Sequence, residues 1–202
     1  MARRGISLTL AVLGGLGWSV SHAAPDLTAP AMLAGQEDAG PERIARTSAA
    51  GSHLCLPGET IAYSCDFGKS LGSVCLDEKG VTYRFGTPDS IEKTIGNGVD
   101  WGNIHVGSVR GQIGGSQEHV RFTDGQYHYI VFTGVNGEAT DNPGHSYSGI
   151  SVVDSGKDVV RLECRSRPFI ASNWTDKIIE AAPGPVRESL MESEDSQFDG
   201  WF

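Results

Sequence analysis

Residues 118–132 read EHVRFTDGQYHYIVF, and the way this stretch folds back on itself decides the fold. Val120, Phe122, Tyr127 and Tyr129 alternate with polar residues, the period of a half-buried β-strand. Asp124-Gly125 interrupts the alternation as a two-residue type I′ hairpin loop does, since that turn needs positive φ at both central positions. With this loop, Phe122 lies across from Tyr127 and Val120 across from Tyr129, all on one face predicted to meet the core. The opposite face then carries His119, Arg121 and His128 toward solvent.

A second hairpin lies in YSGISVVDSGKDVVRLEC, residues 147–164. A two-residue loop there mixes apolar and charged residues on both faces. A three-residue loop at Ser155 to Lys157 gathers Ile150, Val152, Val160, Leu162 and Cys164 together, and register follows the apolar face. Working outward, Cys55 to Cys164 consists of short runs rich in Val, Ile, Tyr, Phe and Thr, separated by Gly, Asp, Asn and Ser, with no helical stripe. The 27 glycines of the 202-residue chain suit many tight turns. The prediction is an all-β fold, a single antiparallel sandwich or barrel-like domain over residues 53–170, because a sheet with one apolar face must pack on something.

The flanks differ in character. Residues 1–24 have basic Arg3 and Arg4, an apolar run from Ile6 to Val20, and small residues at Ser21, Ala23 and Ala24, the layout of a secretory signal peptide. Residues 25–52 lack any period and read as a flexible linker. In residues 171–202, NWTDKIIEAA predicts a short helix capped by Asn173 or Thr175 and stopped by Pro183. The acidic stretch from Arg187 onward reads as a mobile tail, with Trp201 and Phe202 at its end. Export implies a periplasmic or secreted protein without membrane insertion. Removing Arg3 and Arg4 leaves 14 basic against 25 acidic residues, a net charge of −11. That balance argues against nucleic acid and favours a basic protein partner.

Four cysteines, Cys55, Cys65, Cys75 and Cys164, have no spacing suited to a metal, and in an oxidising compartment they read as two disulfides. If TIAYSC and SLGSVC pair around Asp66 to Lys69, Cys65 lies across from Ser70. Cys75 is then roughly 17 Å away along the strand, beyond the reach of a bridge. Cys65 and Cys164 both belong to apolar faces. The predicted pairs are Cys65 with Cys164 and Cys55 with Cys75.

No catalytic, cofactor or metal site is predicted. Gly68-Lys69-Ser70-Leu71-Gly72 formally matches G-x-S-x-G, yet strands on both sides make it a hairpin turn, whereas a nucleophile elbow leads from a strand into a helix. Asp141-Asn142 lies in a long loop, Gly134 to Ser146, without a calcium-loop pattern. The candidate binding surface comprises Trp101, in the turn-rich GNGVDWGN, with His119, Arg121 and His128 on the polar hairpin face and Asp141 and His145 in the long loop.

The strings CLPGETIAYSC, GSVC, VTYRFG, DGQYHYIVF and LEC, between Cys55 and Cys164, resemble an uncharacterised family of exported bacterial β-rich proteins with C-x-x-G-E, S-V-C and Y-R-F-G motifs. The resemblance implies export and a β fold and carries no activity. Two functions follow as expectations. The favoured one is an exported, non-enzymatic binding protein such as an inhibitor or immunity factor against a basic cell-wall hydrolase or toxin. The alternative is a periplasmic hydrolase using carboxylates such as Glu118, Asp124 or Asp141 as an acid–base pair.

Overall fold

The computed structural model describes residues 47–48, 51–191 and 201–202. The segment read as a signal peptide lies outside them, as does most of the predicted linker. Within that linker, β1 (Thr47–Ser48) and β2 (Gly51–Ser52) pair antiparallel.

Two five-stranded antiparallel sheets form the body. The first contains β3 (Thr60–Asp66), β4 (Leu71–Asp77), β5 (Gly80–Thr87), β6 (Ser90–Gly96) and β12 (Phe169–Ile170), ordered β12-β3-β4-β5-β6. The second contains β7 (Ile104–Arg110), β8 (Ser116–Asp124), β9 (Tyr127–Val135), β10 (Ser146–Asp154) and β11 (Lys157–Glu163), ordered β11-β10-β9-β8-β7. Each is a meander, so nearly every pairing is local. The inner faces share one core that includes Tyr63, Val74 and Tyr83 from the first sheet and Val106, Val120, Phe122 and Ile150 from the second. Tyr83 stacks on Phe122 across the interface at 5.5 Å between ring centroids. Gly72 makes the close approach possible, because a Cβ there would lie 2.6 Å from Ile150 Cδ1. The sheets do not close on each other, so the architecture is a sandwich.

Both bridges tie this body together. Cys65 is bonded to Cys164 and Cys55 to Cys75, the pairing derived from the strand spacing. The first joins the two sheets and spans 99 residues of sequence.

Turn chemistry corrects the predicted registers. Asp124 pairs with Tyr127 and Phe122 with Tyr129, so the loop is Gly125-Gln126. Only Gly125 has positive φ, which fits a type II′ turn with glycine first. This shift keeps every side chain on its predicted side of the sheet, but Tyr127, beside the turn, is exposed and does not meet the core. The β10–β11 turn is Ser155-Gly156, both at positive φ, and a bulge beside Val153 restores the expected pairs Ile150–Leu162 and Val152–Val160. Cys65 pairs with Gly72, not Ser70. The turn between β3 and β4 is closed by Phe67 N donating to Ser70 O, which puts Ser70 in a hairpin turn as predicted.

The C-terminal part departs furthest from its reading. Helix α1 (Trp174–Ala181) forms where predicted, but Asn173 stands before it at φ 53° without a side-chain capping hydrogen bond and Thr175 bonds Glu118 instead, while α2 (Gly184–Met191) occupies sequence expected to be a tail. Trp174, Ile178, Ala182 and Leu190 belong to the main core, which explains the order: they bury apolar surface worth roughly 1.5–3 kcal/mol per large side chain. Trp201 and Phe202 are also placed, against the second sheet. Among the described residues no helix is long and apolar enough to cross a membrane.

Candidate functional site

The inner face of the second sheet changes character halfway along its strands. Cross-strand neighbours form rows, because paired residues point to the same side. Ile104, Phe122, Tyr129 and Val152 make one row, and Val106, Val120, Val131 and Ile150 the next. Both are apolar and pack on the first sheet. The following row is Ser108, Glu118, Thr133 and Ser148, and the last is Arg110, Ser116, Val135 and Ser146. These rows open into a cleft of about 1180 Å³, which Arg167, Thr175 and Asp176 also line. Strand length contributes: β8, β9 and β10 each have nine residues, against seven or eight in β3 to β6.

The cleft floor is anchored to the core. Ser148 donates to the Phe132 carbonyl at 2.9 Å and lies 2.9 Å from Tyr63 Oη. The Tyr63 hydroxyl therefore supplies the proton in the second contact, giving a chain from the first sheet through the floor of the second. Burial pushes the Tyr63 phenol above its ordinary value, and the Ser148 hydrogen bond only partly offsets that. At the wall, Thr175 Oγ1 donates to Glu118 Oε2 at 3.2 Å, placing this carboxylate at the amino end of α1, where the helix dipole favours negative charge. Arg110, Ser108, Glu118 and Ser146 remain exposed. The arrangement offers hydroxyl donors and acceptors with charges of both signs around a concave surface.

An ion pair links the two sheets at the opposite end of the sandwich. Lys93 of β6 donates to Asp124 at the β8–β9 turn, and this bond holds the Lys93 amine above its ordinary value. Asp124 is thus committed to a structural pair. It also stands six residues from Glu118 on β8, roughly 20 Å at 3.4 Å per residue, so these two carboxylates do not meet over one bond. Asp141 lies in the exposed β9–β10 loop. The hydrogen bonds Asn136 N to His145 O and Gly144 N to Asn136 O organise that loop.

The residues predicted as one binding surface separate into three places. Trp101 is 4 % exposed and belongs to the core; a Cβ on Gly80 would lie 2.7 Å from its ring. It is an anchor beneath its loop, not a surface residue. His119, Arg121 and His128 do share the outer face of the second sheet, but that face is covered. His119 is fully buried, as are its neighbours Ile130 and Phe132. The continuous run Ile130-Val131-Phe132 marks a strand buried on both sides. Arg121 and His128 are half-buried, and His128 Nδ1 contacts Thr123 Oγ1 at 3.0 Å. Asp141 and His145 are exposed, and His145 alone of the six lines the cleft.

The motif residues of the first sheet form a structural unit. Leu56-Pro57-Gly58-Glu59 is a turn closed by Glu59 N donating to Leu56 O, with Gly58 at φ 88°, the pattern of a type II turn with proline second and glycine third. Glu59 accepts from Leu56 N at 2.6 Å and from both Arg84 terminal nitrogens at 2.6 and 2.7 Å. C-x-x-G-E and Y-R-F-G thus meet in a bidentate ion pair, both side chains about 10 % exposed or less. Cys55 and Cys75 lie near Glu59, but their sulfurs are bonded to each other and offer no thiolate to a metal.

No family model matches this chain, and neither the curated proteins nor the solved structures compared with it give a match. The cleft residues Ser108, Arg110, Ser116, Thr133, Ser146 and Arg167 were not singled out from the sequence. The signal was the alternation within IHVGSVR and SQEHVRF, whose inward positions run from apolar to polar along the first and from polar to apolar along the second.

Proposed function

We propose that this chain is an exported, non-enzymatic binding protein whose recognition site is the polar cleft at the open end of the sandwich, and that its partner is a basic protein. The observation that carries this reading is the two polar rows. They hold Ser108, Glu118, Thr133, Ser116 and Ser146 on rigid strands in a concave surface large enough for a protein loop. The net charge of −11 after signal-peptide removal steers a basic partner toward it. The two disulfides fit an oxidising compartment. An inhibitor or immunity factor against a cell-wall hydrolase or toxin is the role these features suit. Glu118 and Asp176 line the same cleft, and a hydrolase reading rests on that pair.

The test is affinity capture from periplasmic extract with three baits: the wild-type chain, Glu118→Lys and Ser108→Trp. A basic protein retained by the wild type and lost with both variants is expected, with an association rate that falls as salt screens the attraction. Equal capture by all three baits, or retention of acidic proteins alone, contradicts the proposal. Turnover of cell-wall polymer that Glu118→Gln and Asp176→Asn each abolish would establish the hydrolase instead.

A further inference from the structure

The outer face of the second sheet is apolar at its centre, where Ile130, Phe132 and Val153 are buried, and among the described residues Trp201 and Phe202 pack on it. The Phe202 ring stands edge-on to His119 at 5.2 Å and stacks on Phe132 at 6.2 Å between centroids. Its backbone N donates to Gln117 Oε1 at 2.9 Å, and the Tyr147 hydroxyl reaches the same oxygen at 3.4 Å. The benzo edge of Trp201 packs against two glycines: a Cβ on Gly111 would sit 3.0 Å from its ring, and one on Gly115 3.6 Å. Each position therefore has its own chemistry. One takes a phenyl-sized ring together with a backbone N–H, and the other takes an indole edge where side chains are missing. A groove of about 560 Å³ opens beside the pair, whose rings form part of its lining.

Trp201 is held lightly compared with the core tryptophan Trp174. Trp174 is 1 % exposed, whereas Trp201 is 49 % exposed, and the residues joining the pair to α2, Glu192 to Gly200, include four carboxylates. We propose that these two seats, on Gly111 and Gly115 and on His119, Phe132 and Gln117, form a second binding site at the edge of this groove, specific for a Trp-Phe aromatic pair, and that the chain's own Trp201–Phe202 occupies it in cis as a displaceable plug. A partner segment presenting the same two rings competes for it. His145, Tyr147 and Glu163 line both this groove and the main cleft, so the plug sits beside the proposed recognition site.

The probe is a fluorescein-labelled hexapeptide, QFDGWF, titrated by anisotropy into the full chain and into the full-chain variant W201A/F202A. A tethered plug competes at an effective concentration of about a millimolar, so the peptide should bind the variant at least about tenfold more tightly than the wild type. The peptide QFDGWA should lose binding to the variant, a control that does not depend on protein folding. Adding Gly111→Val to the variant should also abolish binding, with melting temperature recorded in parallel. Absent or equal binding to the two proteins overturns the site, as does equal binding of QFDGWF and QFDGWA. A concentration-dependent wild-type dimer that W201A/F202A lacks overturns the cis arrangement and assigns the groove to a second copy.

Discussion

Both sheets have their outer faces covered by chain from outside the sheet, and the covers are built differently. On the first sheet, residues 53–59 are held by the Cys55–Cys75 bridge, by Leu54 N donating to Ser73 Oγ, and by the buried Glu59–Arg84 pair. On the second, the placed cover includes two rings and one backbone hydrogen bond to Gln117. A covalent bond beside a desolvated ion pair makes the first cover part of the fold. On the proposal above, the second is exchangeable, because its described contacts are one stacked ring, one indole on glycines and one hydrogen bond. On the function proposed above, the first sheet serves stability and the second serves contact, at the cleft on its inner face and the groove on its outer face.

The largest expected effect comes from breaking the ion pair on one side only. Arg84→Ala leaves the Glu59 carboxylate buried and uncompensated and should destabilise by about 3–5 kcal/mol in urea melts, while Glu59→Gln with Arg84→Met together should cost much less. A loss below about 1 kcal/mol for Arg84→Ala would mean the cover is as loose as the one on the second sheet. Next, replacing both Cys55 and Cys75 by Ser removes a bridge spanning 20 residues and should cost about 3 kcal/mol on the chain-entropy model.

Alkaline pH sharpens the comparison at the buried interface between the sheets. Burial raises the phenols of Tyr63 and Tyr83 above their ordinary value of 10.0. The folded state therefore keeps protons that the unfolded state releases. Stability from these groups is complete below pH 10 and falls as pH rises beyond it. Melting temperature should decline above that pH, and Tyr63→Phe and Tyr83→Phe should each flatten the decline. An unchanged slope in both variants would assign the effect elsewhere. The smallest effect belongs to the second cover. W201A/F202A should cost about 1 kcal/mol, as half-exposed side chains do, and a loss of 4 kcal/mol would make the plug a core element.

Much of the fold was legible because period-2 alternation and turn residues are local signals. The two hairpins, their faces and the disulfide pairing all follow from them. Exact partners did not, because a glycine such as Gly125 serves either position of a two-residue turn, and a bulge such as that beside Val153 changes loop length without changing far register. Long-range pairing was hidden for another reason. Glu59 and Arg84 are 25 residues apart, and nothing in either motif says that a type II turn aims one at the other. His119 was misplaced because polarity was read as exposure, although Ile130 and Phe132 on the same face already indicated a cover. The cleft residues alternate as any amphipathic strand does. That their rows lie beyond the first sheet depends on how far each sheet extends, which single strands do not encode.

The central claim is that recognition uses the polar rows of the second sheet, and hydrogen–deuterium exchange of the full chain bound to its captured partner tests it most directly. The account predicts new protection in residues 106–110, 116–118, 133–135 and 146–148, with β5 and β6 of the first sheet unchanged. Protection concentrated on residues 80–96, with the cleft strands exchanging as in the free protein, would contradict it.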